Sequence, residues 1–258
     1  MNVEPVVTTK LRRITYNCDG ESFDGALIVP EVAKPVPAIL VVPAWEGRSE
    51  AQETIATQLA HHGYAAFCVD VYGTDKRGTT PAECEALMMP LLADRERLRA
   101  RLLSAVDAAH ACPEINPKQT AAIGFCFGGL CVLDLARANA PLIAVASVHG
   151  LLTPLPAPLV VAPRINAKVI AFHGWDDPLV TPSDVTALGH ELNAAKADWQ
   201  IHLYGGTMHA FTNKNASSPQ LGLQYDARSA RRAWESLELF LRESLEVSST
   251  RTGSINRS

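Results

Sequence analysis

The feature that most restricts how this chain can fold is Ala38-Ile39-Leu40-Val41-Val42, an apolar run with no polar alternation. A strand wet on one face alternates apolar and polar residues, whereas an unbroken run suits a strand covered on both faces, as in parallel sheets. Residues 64–70, 120–125, 142–148 and 168–172 have a similar character, and residues 199–204 read as the last strand. Between them, residues 49–62, 128–138, 183–195 and 227–245 read as helices, the first ending at Gly63. In residues 91–111, arginines and glutamates interleave with Leu98, Leu102 and Val106, which predicts one long amphipathic helix. Two more strand-like segments, 13–17 and 24–29, precede the first apolar run. This alternation predicts an α/β fold, a mostly parallel central sheet with helices on both faces.

The chain has 258 residues, 47% of them apolar, enough for a single α/β domain over 1–246 with its own core. The polar stretch 247–258 is expected to be a disordered tail. A net charge of −4 gives no electrostatic reason to expect nucleic acid or an anionic membrane as partner. The first ten residues hold Glu4 and Pro5 and lack the basic and apolar pattern of a signal peptide. No apolar run approaches the roughly 20 residues of a membrane-spanning helix. The expectation is a cytoplasmic protein, a monomer or small homo-oligomer. Its six cysteines (Cys18, Cys68, Cys84, Cys112, Cys126, Cys131) form no CxxC pair and have no neighbouring His ligands. Neither a metal site nor a disulfide framework is therefore expected, and the thiols read as reduced.

Chemistry enters at Gly124-Phe125-Cys126-Phe127-Gly128-Gly129, between an apolar strand and a helix. This is the pattern of a nucleophile elbow, a tight strand-to-helix turn that lifts one side chain above the carboxyl edge of the sheet. Glycines two positions to either side remove side chains that would clash. At a helix N-terminus, the partial positive charge favours thiolate over thiol. The N–H of Phe127 would point toward the same spot and could stabilise an oxyanion. Against this stands the ordinary fate of free cysteine, a small buried hydrophobe. The other five cysteines lack the flanking glycines and read as packing residues.

An elbow of this kind needs an acid and then a base, each after a later strand. Residues 168–172 run into His173-Gly174-Trp175-Asp176-Asp177-Pro178, and residues 199–204 run into Gly205-Gly206-Thr207-Met208-His209. Both loops follow the carboxyl ends of their strands, on the edge expected for Cys126. Asp177 would then orient the ring of His209, which takes the thiol proton. His149 and His173 also end strands and compete for the base role, but only His209 is well placed downstream of the acid. The bland alternatives are a solvated loop histidine and an Asp-Asp-Pro turn.

These residues resemble the dienelactone hydrolase family over about residues 14–245, with the Gly-Phe-Cys-Phe-Gly-Gly elbow separating the chain from serine esterases of the same fold. His209-Ala210-Phe211-Thr212-Asn213, Tyr225 and Arg231-Arg232-Ala233-Trp234 resemble one bacterial branch. The resemblance implies the α/β-hydrolase fold and a Cys126-Asp177-His209 triad. It also implies hydrolysis through a thioester without metal or organic cofactor, and a second oxyanion N–H from Trp45. The best-known members carry a glutamate where this chain has Ala44, with Glu46 two residues on. They also carry an arginine where it has Asn213, and for their second arginine only Lys76 or Arg77 offers. The implied substrate is a small ester or lactone, neutral or shaped unlike an anionic dienelactone. Glu46, Tyr72, Arg95, His149, Trp175 and Phe211 are candidate pocket residues. The rival reading is a non-catalytic small-molecule-binding protein that keeps the hydrolase fold.

Overall fold

The computed structural model describes residues 8–157 and 159–245; the expected tail at 247–258 and residue 246 lie outside them. The chain opens with a hairpin, β1 (Thr9–Cys18) antiparallel to β2 (Glu21–Pro30). Asp19 and Gly20 between them have φ of 50° and 78°. Two successive positive φ values make the tight turn whose twist matches the strands, and Asp-Gly is a favoured pair there.

Six parallel strands follow. They are β3 (Val36–Val42), β4 (Ala65–Cys68), β5 (Ile115–Phe125), β6 (Ala144–Val148), β7 (Lys168–Gly174) and β8 (Trp199–Tyr204). The eight strands form one sheet in the order β1-β2-β4-β3-β5-β6-β7-β8, with β2 antiparallel to β4. The helices are α1 (Glu50–His61), α2 (Pro81–Ala93), α3 (Arg95–His110), α4 (Phe127–Arg137), α5 (Pro182–Ala194) and α6 (Ala227–Ser244). A short pair, β9 (Ser217–Ser218) and β10 (Leu223–Gln224), stands apart.

The unbroken run in β3 has the expected cause. Ala38, Leu40 and Val42 enter the core under α3, α4 and α5, while Ile39 and Val41 enter the core under α1 and α6. Successive side chains point to opposite faces, so a strand covered on both needs apolar residues throughout. Among the described residues no helix is long and apolar enough to cross a membrane.

One expected element divides. Residues 91–111 are not one helix: α2 ends and α3 begins at Asp94, whose φ −120° and ψ 80° break the helical path. Its carboxylate accepts the N–H of Arg97 at 3.0 Å, an N-cap that stabilises a new helix start more than continuation would. The first turns of α2 were not anticipated either. They are set by a capping box in which Thr80 and Glu83 exchange hydrogen bonds, with Pro81 opening the helix.

The break places Arg95 in the interior rather than on a wet helix face. Its guanidinium grips Asp134 of α4 through two bonds, 2.6 and 2.5 Å. Arg137 bonds the same carboxylate at 3.1 Å, Glu191 of α5 at 2.7 Å and the carbonyl of Thr153 at 3.1 Å. One carboxylate thus ties α3 to α4, and Arg137 extends the tie to α5 and the loop after β6.

Candidate active site

Cys126 sits between β5 and α4 with φ 53° and ψ −114°, a conformation L-residues rarely hold. Such strain costs on the order of 1–3 kcal/mol and persists only where surroundings over-determine it. Here they do. The Cys126 N–H donates to the Val148 carbonyl at 3.1 Å, and its own carbonyl accepts from Gly129 and Leu151 at 2.9 and 3.2 Å. The turn is tight enough to require its glycines. A Cβ on Gly124 would lie 2.0 Å from the Gly128 carbonyl oxygen, and one on Gly128 would lie 2.4 Å from that of Pro43.

The loops after β7 and β8 bring up the other two groups. His209 Nδ1 donates to Asp177 Oδ2 at 2.6 Å, and Asp177 Oδ1 accepts the Leu179 N–H at 2.9 Å, which fixes the carboxylate in its turn. Both residues are buried. On the other side of the ring, Nε2 has no hydrogen-bond partner, and the Cys126 sulfur is near enough to influence its charge. Burial disfavours a charged imidazole, but the Asp177 carboxylate and the Cys126 sulfur outweigh it and push His209 up to about 10. The arrangement therefore favours an imidazolium facing sulfur. Cys126 itself is half-buried and faces a cleft that His209 also lines.

The competing histidines are engaged elsewhere. His173 donates from Nε2 to the Val180 carbonyl at 3.1 Å and lies 3.9 Å from Asp177, too far for a hydrogen bond to the acid. His149 meets Thr212 Oγ1 through Nε2 at 2.8 Å and packs edge-on to His209 at 5.2 Å. Burial, with the His209 charge beside it, holds its pKa well below the usual histidine range. It lines the cleft as a neutral ring.

Trp45 follows β3 and lines the cleft, as does Glu46. Phe127 is the first residue of α4, so its N–H has no partner within the helix. Tyr72 and Phe211, expected to face the pocket, instead support it from behind. The Tyr72 ring stacks on Phe127 at 6.2 Å, and its hydroxyl donates to the Trp45 carbonyl at 2.8 Å, joining the two loops that flank the sulfur. Phe211 is fully buried, edge-on to His149 at 5.4 Å. Trp175 is about half exposed and lies outside the cleft lining. Arg95 is removed from the pocket by its core ion pair.

Burial raises the Glu46 carboxyl above the usual carboxylate range. Lys76 pairs with Glu21 at 3.0 Å and Arg77 bonds the Arg48 carbonyl, so neither lines the cleft. Lys214, beside Asn213, does line it, and so do Arg231 and Arg242. Among the lining residues that went unnoticed as site candidates are Leu179 and Thr212. Thr212 lies within the His209–Asn213 stretch, but its role depends on His149, a partner 63 positions away.

Four other cysteines, Cys68, Cys84, Cys112 and Cys131, are buried. Burial raises their pKa, that of Cys68 to about 12. Among the described residues no group of three His, Cys, Asp or Glu side chains is placed to hold a metal ion.

Comparison with known proteins bears on the family and the fold. Residues 23–245 match the model of the dienelactone hydrolase family. A Synechocystis protein provisionally named a carboxymethylenebutenolidase is 26% identical, over 93% of this chain and 99% of its own. An uncharacterized Caenorhabditis elegans protein is 36% identical over 150 residues, 57% of this chain and 94% of its own. Among solved structures, a dienelactone hydrolase-like promiscuous phosphotriesterase from metagenomic libraries superposes with a TM-score of 0.86 at 34% identity. The match covers 92% of this chain and 99% of that one.

Proposed function

From the premise that this chain belongs to the dienelactone hydrolase family, we propose that it cleaves a small ester or lactone by nucleophilic attack of Cys126, with His209 as acid and base and Asp177 as its orienting group. Membership makes the protein a carboxylic ester hydrolase with an α/β-hydrolase fold. The mechanism is the part proposed here. The observation that carries it is the 2.6 Å bond from His209 Nδ1 to Asp177, with Nε2 left free on the side of a strained, half-buried cysteine.

The cycle has two halves. The Cys126 thiolate attacks the ester carbonyl carbon, and its oxygen takes the charge. The N–H groups of Phe127 and Trp45 receive that charge, aided by the N-terminal end of α4. The adduct collapses to a thioester while His209 Nε2–H protonates the departing alkoxide. The now neutral ring then takes a proton from water, and the hydroxide attacks the thioester. The second adduct releases the acid and returns thiolate and imidazolium. Because thiolate is itself a good leaving group, the first adduct goes forward only when the alcohol leaves readily. Activated esters and enol lactones suit this chemistry better than amides.

A binding protein without turnover predicts no covalent intermediate. The test is rapid mixing with an activated aryl ester. The expected result is a burst stoichiometric with enzyme and a protein mass increased by one acyl group, both lost in Cys126→Ala. An acyl group that persists in Cys126→Ala, or the absence of turnover across varied esters, would overturn the assignment.

A further inference from the structure

The cleft that holds Cys126 is larger than a small lactone needs. It encloses about 2020 Å³, whereas small-molecule sites usually span about 300–1,000 Å³. It does not widen evenly around the sulfur. It continues from Phe125, the residue before the elbow, into a furrow walled by Ile55 and Leu59 of α1 and by Trp234, Leu237 and Leu241 of α6. The helices create this shape. Both cover the same sheet face, but α1 packs on β2, β3 and β4 while α6 packs on β6 and β7, which leaves a trough over β5.

The chemistry of the walls is graded. Trp234 rests on Phe125 at a ring distance of 5.9 Å, so an aromatic pair flanks the exit from the nucleophile. Beyond it Ile55, Leu59, Leu237 and Leu241 supply the apolar part of the walls, with Thr54, Gln58 and Glu238 also lining them. The far rim is polar, where His61, His62 and Arg242 line the cleft. An apolar furrow that starts at a nucleophile and ends at a polar rim has the form of a channel for an extended hydrocarbon.

We propose that this furrow binds an elongated apolar arm of the ester, a medium-length acyl or alkoxy chain, while the carbonyl lies at Cys126. The proposal rests on the hydrolase reading above and narrows its substrate class. Each methylene moved from water to the furrow raises kcat/KM by about fourfold where burial is complete. The ester functional group stays small; its substituent does not.

Two substrate series test it, both with activated leaving groups: p-nitrophenyl acetate through octanoate, which lengthens the acyl side, and 4-ethylphenyl through 4-octylphenyl acetate, which lengthens the alcohol side at nearly constant leaving ability. In at least one series the octyl-length member should exceed the two-carbon member by about tenfold or more in kcat/KM, given partial burial of each methylene. Ile55→Asn and Trp234→Ala should each lower that ratio by roughly fivefold, the effect of losing one or two methylene contacts. Leu239→Ala, on the exposed side of α6, should leave the ratio unchanged. Turnover of acetates with a flat profile in both series would overturn the furrow proposal while sparing the hydrolase reading. So would a ratio that both furrow variants retain. No turnover of any ester would overturn both.

Discussion

Replacing Asp177 by asparagine removes one charge and little else. Asparagine keeps the volume, and its carbonyl can still accept the Leu179 N–H now bonded at 2.9 Å. What goes is the negative charge 2.6 Å from His209 Nδ1. Burial then opposes the ring's charge with only the Cys126 sulfur against it, and His209 should fall well below about 10. At neutral pH less imidazolium then faces Cys126. The Cys126 sulfur then loses most of the neighbouring positive charge that favours its ionised form. Alkylation by iodoacetamide should therefore slow by about 10-fold or more, the usual effect of removing an opposite charge beside an ionising group. The pH profile carries more information than the single rate. The variant's profile should differ from the native one, since the native imidazolium persists up to about pH 10 and the variant's does not. Ester turnover should fall further, by about 10²- to 10⁴-fold, because the general acid is lost as well. His173→Ala should leave the alkylation rate within about twofold, since that ring donates to Val180 and not toward sulfur. A folded Asp177→Asn protein that alkylates at the native rate, with the native pH profile, would refute the reasoning.

Other consequences can be checked without substrate. Asp134→Ala strands the buried guanidinium of Arg95 and takes one of two carboxylate partners from Arg137, which keeps Glu191, and should cost about 3–5 kcal/mol in urea unfolding. Gly128→Ala pushes a Cβ to 2.4 Å from the Pro43 carbonyl oxygen; about 1–3 kcal/mol or more of stability and most of the activity should be lost together, read by thermal unfolding and ester turnover. Hydrogen bonding by Lys76, supported by Arg97 and Arg101 and opposed by slight burial, lowers Glu21 from 4.5 to about 2. Its folded pKa lies below the unfolded one, so its contribution is complete above pH 4.5 and vanishes as pH falls through about 2. Glu21→Gln should flatten that acid limb of a Tm-against-pH curve.

What the sequence made legible is what local pattern encodes. The five apolar residues of β3 announced a strand covered on both faces, and the glycines around Cys126 announced a turn too tight for side chains. Parallel strands then placed the Asp177 and His209 loops on the same edge without any need for coordinates. The illegible parts depend on partners distant in the chain. Nothing local to Arg95 indicates that Asp134, 39 positions on, will hold it inside. Tyr72 and Phe211 looked like pocket residues because aromatics serve equally as lining and as backing, and only packing decides between them. The helix break at Asp94 was readable in principle, as a capping residue three before Arg97. The amphipathic spacing of leucines on either side concealed it.

Three residues lining the cleft hold backbone angles that L-amino acids avoid: Cys126 at φ 53°, His149 at φ 38° and Ala210 at φ 57°. The working surface of this molecule is thus a loaded spring, kept under tension by the sheet beneath it. Glycine at any of the three would relax that tension, so a campaign that selects only for heat tolerance should drift toward sturdier proteins with blunted chemistry. Screens for robustness in this scaffold need a turnover readout from the first round.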